Sequence, residues 1–258
     1  MKIFSIISII SLFTVFLFSG CDKEGVKYSD YELVDPNQSF LKVNYNIAFK
    51  SNPFVQLKIN GTRVSGTNIQ TRYPFPGGGF NTLGGSTGDY LPLKPGSNEI
   101  SLSIPKNGTS IDSVNIYTTT IQTEVGKRYS LHLADSLNTK HLLVDEDVSL
   151  PDTNSVRYRF VNLMANVPAI DLYNGTVKVA SNIPFMGISD KFVLSTYTST
   201  SPGWFIRAAG ASPTSTAIAT YSSNNTKLNQ RVYTVFATGY TGLTDAARKP
   251  YVAFYYVR

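Results

Sequence analysis

Histidine and carboxylate side chains are the groups in this sequence that could carry out general acid–base chemistry. There are two histidines, His132 within Tyr129-Ser130-Leu131-His132-Leu133 and His141 before Leu142-Leu143. Alternation places His132 on the strand face opposite the leucines, and a strand edge is expected for His141. A catalytic base needs a nucleophile or an acid within hydrogen-bond reach. We expect both imidazoles on the surface, no catalytic residue and no enzyme activity. The alternative is an enzyme in which one of them meets two carboxylates.

The carboxylates of Asp145-Glu146-Asp147, with Asp152 nearby, form the densest acidic cluster. Calcium takes about six to eight hard oxygen ligands, and the EF-hand spacing and its glycine are missing here. We expect a solvated strand end, with a calcium site as the weaker alternative. Gly77-Gly78-Gly79 lacks the lysine and helix that follow a phosphate-binding loop. The sequence therefore predicts no metal and no cofactor.

The chain has one cysteine, Cys21, directly after an apolar N-terminal run. Lys2, the apolar stretch and the small pair Ser19-Gly20 are typical of a cleaved secretory signal over residues 1–20. The ending Leu17-Phe18-Ser19-Gly20-Cys21 resembles the bacterial lipobox, which implies acylation of the thiol with chains such as palmitate. An ordinary signal with an incidental cysteine, or an uncleaved span, are the alternatives. The apolar run is at the short limit for a span.

The composition is that of a folded, aromatic-rich chain. Charged residues make up 16%, with 16 Tyr and 15 Phe. The formal net charge is +6, but the basic residues are scattered rather than concentrated in a stripe. Nucleic-acid binding needs such a stripe, so we expect no nucleic-acid partner.

Short alternating runs separated by Gly, Pro, Asn and Ser predict an all-β fold. Leu41-Val43-Tyr45-Ile47-Phe49 alternates with more polar residues, as in a half-buried strand. Residues 251–257 are apolar on both faces, which indicates a central or covered strand. Many short strands at this spacing point to immunoglobulin-like β-sandwiches.

The chain also repeats an ordered set of features. The turns Asn60-Gly61 and Asn174-Gly175 each follow a strand, and later Asp89 and Asp190 each open another. We expect a signal peptide over 1–20, a lipidated cysteine and tether over 21–38, and two tandem sandwich domains over 39–150 and 151–258.

One interval differs between the two copies. The stretch from Gly61 to Asp89 is nearly twice as long as that from Gly175 to Asp190. Loops longer than their scaffold requires often carry function. We therefore take Tyr73, Phe75 and Phe80 as a candidate ligand-binding loop, or as rings tucked onto the sandwich edge. Trp204 is a further candidate, since aromatic faces stack on sugars, although cores use tryptophan in the same way.

Residues 156–185 are the part of the sequence most similar to a known family. The similar segments are 156–163, then Pro168-Ala169-Ile170-Asp171-Leu172-Tyr173-Asn174-Gly175, then Ser181-Asn182-Ile183-Pro184-Phe185. This resembles the DUF4397 family of secreted and lipoprotein domains, most clearly over 153–258. The resemblance implies a β-sandwich in a cell-envelope protein, often from Bacteroidetes, and implies no reaction. With Asp22 and Glu24 beside Cys21, it favours a surface-exposed, outer-membrane placement over retention in the inner membrane.

The sequence thus predicts a lipid-anchored cell-envelope protein that acts as a non-enzymatic binding, adhesion or structural module. Its partners would be the membrane, through the anchor, and an envelope protein or a glycan. The alternative function is a glycan-binding accessory lipoprotein of a polysaccharide-uptake system.

Overall fold

The computed structural model describes residues 37–197 and 203–258. The predicted signal peptide, Cys21 and most of the predicted tether lie outside these ranges. The described residues belong to one compact unit. Within them, no helix has the length and apolarity needed to cross a bilayer.

The described chain is all-β, as the sequence predicted, with one short 3₁₀ helix at Asn224–Lys227. The strands of the first half are β1 (Ser39–Asn46), β2 (Gln56–Ile59), β3 (Thr62–Arg63), β4 (Tyr73–Phe75), β5 (Gly79–Phe80), β6 (Leu91–Leu93), β7 (Gly96–Pro105), β8 (Asp112–Thr123), β9 (Arg128–Ala134) and β10 (Lys140–Asp145). Those of the second half are β11 (Ser155–Asn162), β12 (Ala169–Asn174), β13 (Val177–Pro184), β14 (Phe192–Ser195), β15 (Trp204–Ala208), β16 (Ala219–Tyr221), β17 (Val232–Thr238) and β18 (Tyr251–Tyr256).

The first sandwich consists of two sheets around one apolar core. One sheet has the order β10-β9-β1-β4, with β6 also paired to β1, and the other has the order β3-β2-β7-β8. Leu41, Val43 and Tyr45 alternate along β1 and point into the core, which also contains Leu102 of β7 and Leu131 of β9. This alternation buries one face of each strand, so the sheets pack face to face.

The second sandwich repeats this arrangement. Its sheets have the orders β14-β11-β17-β18-β5 and β13-β12-β15-β16. In both sandwiches the first strand runs parallel to a late strand, β1 to β9 and β11 to β17. The predicted internal repeat therefore corresponds to a repeated strand order. The immunoglobulin-like type and the domain boundary at residue 150 stay predictions.

The two sandwiches meet through the outer faces of their parallel-paired sheets. An apolar cluster there contains Ala134 of β9, Val161 of β11, Phe236 of β17 and Tyr255 of β18. The prediction that β1 is half-buried is wrong, because the second sandwich covers the outer face as well. The prediction that the last strand is covered is confirmed, since β18 is almost wholly buried.

Candidate functional site

The candidate loop residues Tyr73 and Phe75 lie on β4, which extends the first sandwich. β4 pairs antiparallel with β1, with Val43 opposite Phe75 and Tyr45 opposite Tyr73. Both rings are half-buried and pack against the first core. These two aromatics therefore pack on the edge of the sheet, in agreement with the second of the two interpretations of the loop.

Phe80 belongs to the first half of the chain but packs in the second sandwich. Its strand, β5, pairs with β18, with Phe254 opposite Phe80 and Tyr255 opposite Gly79. The Phe80 ring centroid lies 6.2 Å from that of Tyr233 and 5.3 Å from that of Tyr256. The long loop of the first half thus supplies a strand to the sheet of the second half.

Three further contacts hold this loop in place. The Arg72 guanidinium lies 3.7 Å from the ring centroid of Tyr251, and it donates to the Asn81 carbonyl oxygen at 3.2 Å. The Asn81 side chain donates to the Val252 carbonyl oxygen at 2.9 Å. We conclude that the extra residues of the first half join the two sandwiches.

Trp204, the remaining aromatic candidate, is 0% exposed at the start of β15. Its indole packs against Tyr158 and Phe254, and its Nε1 donates to Thr226 Oγ1 at 3.0 Å. A buried indole with a satisfied N–H is a core residue. Tyr73, Phe75, Phe80 and Trp204 therefore do not form an exposed aromatic platform.

The prediction of a surface position for His132 is wrong. The alternation was read correctly, because His132 does point away from the leucines of β9, but the second sandwich covers that face and leaves the imidazole 0% exposed. Asn44 Nδ2 lies 3.0 Å from Nδ1, and Tyr255 Oη lies 3.1 Å from Nε2. Because the Asn44 amide nitrogen can only donate, Nδ1 accepts and Nε2–H donates to Tyr255. Burial lowers the pKa of His132 to about 3, so the ring is neutral.

His141 is exposed on β10, as predicted, and contacts the Tyr117 hydroxyl at 2.7 Å.

The prediction of a solvated acidic cluster is wrong for its central residue. Glu146 is buried, and its Oε1 accepts from Tyr255 Oη at 2.9 Å and from Thr234 Oγ1 at 3.2 Å. Burial raises its pKa, and hydroxyl donors and the charge of Arg159 oppose this. The flanking Asp145 pairs with Lys127, and Asp147 pairs with Arg157 and Lys191. Among the described residues, no group of three or more side chains could hold a metal ion.

Lys42 completes the buried polar network between the sandwiches. It is 0% exposed, and its Nζ donates to the Tyr256 carbonyl oxygen at 2.7 Å. The ammonium also lies 4.9 Å from the ring centroid of Tyr90 and 5.2 Å from that of Tyr255. Burial lowers the pKa of Lys42 to about 8, against the opposing charges of Glu146 and Asp89. A perturbed pKa of this kind can mark a functional site or a structural network.

The chemistry open to this network is limited by its burial. His132, Tyr255 and Glu146 form one chain of hydrogen bonds, and both imidazole nitrogens are engaged within it. All three side chains are buried, so a substrate would have to separate the sandwiches to reach them. The geometry favours a structural role in which the network fixes the register of the interface.

An open surface concavity of about 1180 Å³ lies at one end of the first sandwich. The β7–β8 turn and the segments before β2 and after β3 line it. Phe54 and Ile111 are each 58% exposed there. The Arg63 side chain is fixed at its edge by bonds to the Ser65 carbonyl oxygen and to Asn68. Apolar side chains in a concavity with ordered polar groups are what a binding surface requires.

The comparison with protein families gives one match. Residues 53–173 match the model of the family described as "Domain of unknown function (DUF4397)". This match confirms the likeness to the DUF4397 family over residues 53–173. No curated protein matches it at a significant level.

The extent of the DUF4397 match differs from the expected one. The sequence placed the clearest likeness at 153–258, whereas the matched segment begins before β2 and ends within β12. It therefore includes most of the first sandwich. Of the strands of the second sandwich, the matched segment includes only β11 and nearly all of β12.

The sequence analysis did not predict the buried network between the sandwiches. Lys42 and Asn44 were read as the polar face of β1 rather than as interface residues. The signal that could have revealed this network was the last strand, because both of its faces are apolar. A single sandwich covers only one face of each strand, so the second face needed another layer to cover it. Tracing that layer to the polar face of β1 needed knowledge of how segments far apart in the chain pack.

Proposed function

We propose that this protein is a lipid-anchored cell-envelope lipoprotein that acts as a non-enzymatic binding or adhesion module at the cell surface. Its membrane partner is the bilayer that holds the acylated Cys21. Its second partner is an envelope protein that contacts the concavity at Phe54 and Ile111.

The observation that carries the proposal is the position of the concavity relative to the start of the folded body. Ser39 bonds to Thr123 Oγ1 and to the Leu93 carbonyl oxygen, at the end where β7 begins. The concavity lies at the other end of β7, near Pro105. A strand of this length spans roughly 30 Å. A tether that enters at Ser39 would therefore leave the concavity facing away from the membrane.

The histidines support the non-enzymatic part of the proposal. His132 is neutral and enclosed, and His141 lies on the surface beside Tyr117 and Thr119 rather than beside two carboxylates. The glycan-binding alternative stays a prediction, and the four rings that suggested it contribute no exposed platform.

Anchoring and surface placement are tested by protease treatment of intact cells. We expect the parent chain to be cleaved on intact cells and to sediment with membranes. A Cys21→Ala variant should leave the membrane fraction. A parent chain that is protected from protease, or a variant that stays anchored, would contradict the lipid-anchored surface placement.

Binding through the concavity is tested with Phe54→Ser/Ile111→Ser. We expect the double variant to lose capture of the envelope protein that the parent retains. The control is Val177→Ser, a comparably exposed apolar residue of β13, and it should bind like the parent. Equal capture by all three chains would argue against this surface.

A further inference from the structure

The outermost strand of the first sandwich, β8, has an open backbone edge. It runs for 12 residues from Asp112 to Thr123 and is the last strand in the order β3-β2-β7-β8. It pairs with β7 on one side. Over the described residues, no strand pairs with its other side. An unpaired strand edge is a template for another strand.

The other edge strands of the two sandwiches carry the features that block such pairing. They are very short, or they carry charges, proline or register irregularities: β3 with two residues, β16 with three, β14 next to Lys191, β10 with Lys140 and Asp145, and β13 with Lys178, Pro184 and two register shifts. Natural sheets use these devices against edge-to-edge association.

β8 lacks most of these devices. From Ser113 to Thr123 it contains no charged residue and no proline, and it is rich in threonine. Two irregularities, between Leu102 and Ser103 and between Ile104 and Pro105 of β7, fall near Ile116 and Ser113, in the first half of β8. In the second half, residues 117–123 pair with β7 in unbroken register. Thr118, Thr120 and Gln122 are exposed along this regular part.

We propose that the regular part of β8 pairs antiparallel with β8 of a second copy of this chain, around a two-fold axis at Thr120. This joins two four-stranded sheets into one continuous sheet of eight strands. The inference goes beyond the proposed function, since it needs neither the lipid anchor nor the concavity.

The sequence of this edge favours a second copy as its occupant. The formal net charge of +6 opposes self-association, but the strip of residues 113–123 carries no charge and adds nothing to this repulsion. The sequence of the strip is also self-complementary. With Thr120 opposite itself, Thr118 lies opposite Gln122 and Tyr117 opposite Thr123, and polar cross-strand pairs of this kind stabilise sheets.

The pairing is tested with Thr120→Cys in the purified full chain under mild oxidation. Directly opposed residues of an antiparallel pair are close enough for a disulfide. We expect a reducible dimer on a denaturing gel. The parent chain controls for disulfides through Cys21. Val193→Cys controls for random collision, because Val193 is also exposed on an edge strand, β14. Absence of the dimer in Thr120→Cys, or equal dimer in Val193→Cys, would overturn the proposal.

Introduced charges at positions 118 and 122 test the register of the proposed β8–β8 pairing. In the Thr120→Cys chain, adding Thr118→Lys/Gln122→Lys places like charges directly opposite each other, and we expect about a tenfold loss of dimer. Adding Thr118→Lys/Gln122→Glu places opposite charges there instead and should restore it. These positions are exposed, so Trp204 fluorescence should stay that of the folded parent in each variant. A dimer insensitive to both changes, or lost in both, would contradict the two-fold pairing.

Discussion

The imidazole of His132 couples the interface between the sandwiches to pH. Burial lowers its pKa to about 3, whereas an unfolded histidine titrates near 6.5. Between these values the unfolded chain binds a proton that the folded chain does not. The free energy of unfolding therefore falls as the pH falls through this window, with a contribution approaching ~1.4 kcal/mol per pH unit.

Glu146 acts in the opposite direction, because its raised pKa makes the folded chain bind a proton first as the pH falls. The contribution of His132 is therefore isolated by comparison with His132→Gln. We expect the parent to lose more stability than this variant between pH 7.5 and 5, in urea unfolding followed by Trp204 fluorescence. His141→Gln, which removes the exposed imidazole, is the control for a histidine substitution. Equal slopes for the parent and His132→Gln would exclude this role.

At the scale of elements, β5 depends on a close approach that only glycine permits. A Cβ on Gly79 would lie within 1.8 Å of the Phe254 carbonyl oxygen, whereas a Cβ on Gly85 would meet nothing within 4 Å. Gly79→Ala must therefore push β5 away from β18, and with it the Phe80 ring. We expect a loss of stability of roughly 1–3 kcal/mol, measured by urea unfolding.

Gly85→Ala is the matched control for this change, because it lies in the same loop and has open space around it. It should unfold within about 0.5 kcal/mol of the parent. If Gly79→Ala were as stable as Gly85→Ala, β5 would not be an integral strand of the second sandwich.

Local alternation was enough to predict the all-β class and several of the strands, among them β1, β9 and β18. It also placed His132 and Lys42 on the faces opposite the core. It could not predict that these faces are buried, because burial depends on β17 and β18, which lie about a hundred or more residues further along the chain. For the same reason the loop around Phe80 resembled a recognition loop, since its partner strand is remote in sequence.

At the scale of the whole molecule, the two sandwiches are connected by more than a linker. The apolar cluster around Phe236 and Tyr255, the network of Lys42, His132 and Glu146, and the β5–β18 pairing all cross between them. Domains in one chain move independently unless their interface is large and apolar. This interface is apolar at its centre and is crossed by hydrogen bonds, so we expect the sandwiches to unfold together.

Trp204 makes this cooperativity measurable, because the sole tryptophan lies in the core of the second sandwich. Leu131 is 0% exposed in the core of the first sandwich, and Leu131→Ala should cost about 2–5 kcal/mol there. Because the two sandwiches unfold together, the urea midpoint of Trp204 fluorescence in Leu131→Ala should fall by the same amount as the midpoint of far-ultraviolet circular dichroism. Exposed Leu137→Ala, in the β9–β10 turn, is the control and should shift neither. A Trp204 midpoint that stays fixed in Leu131→Ala while the dichroism splits into two transitions would mean that the sandwiches fold separately and that the buried network contributes little to stability.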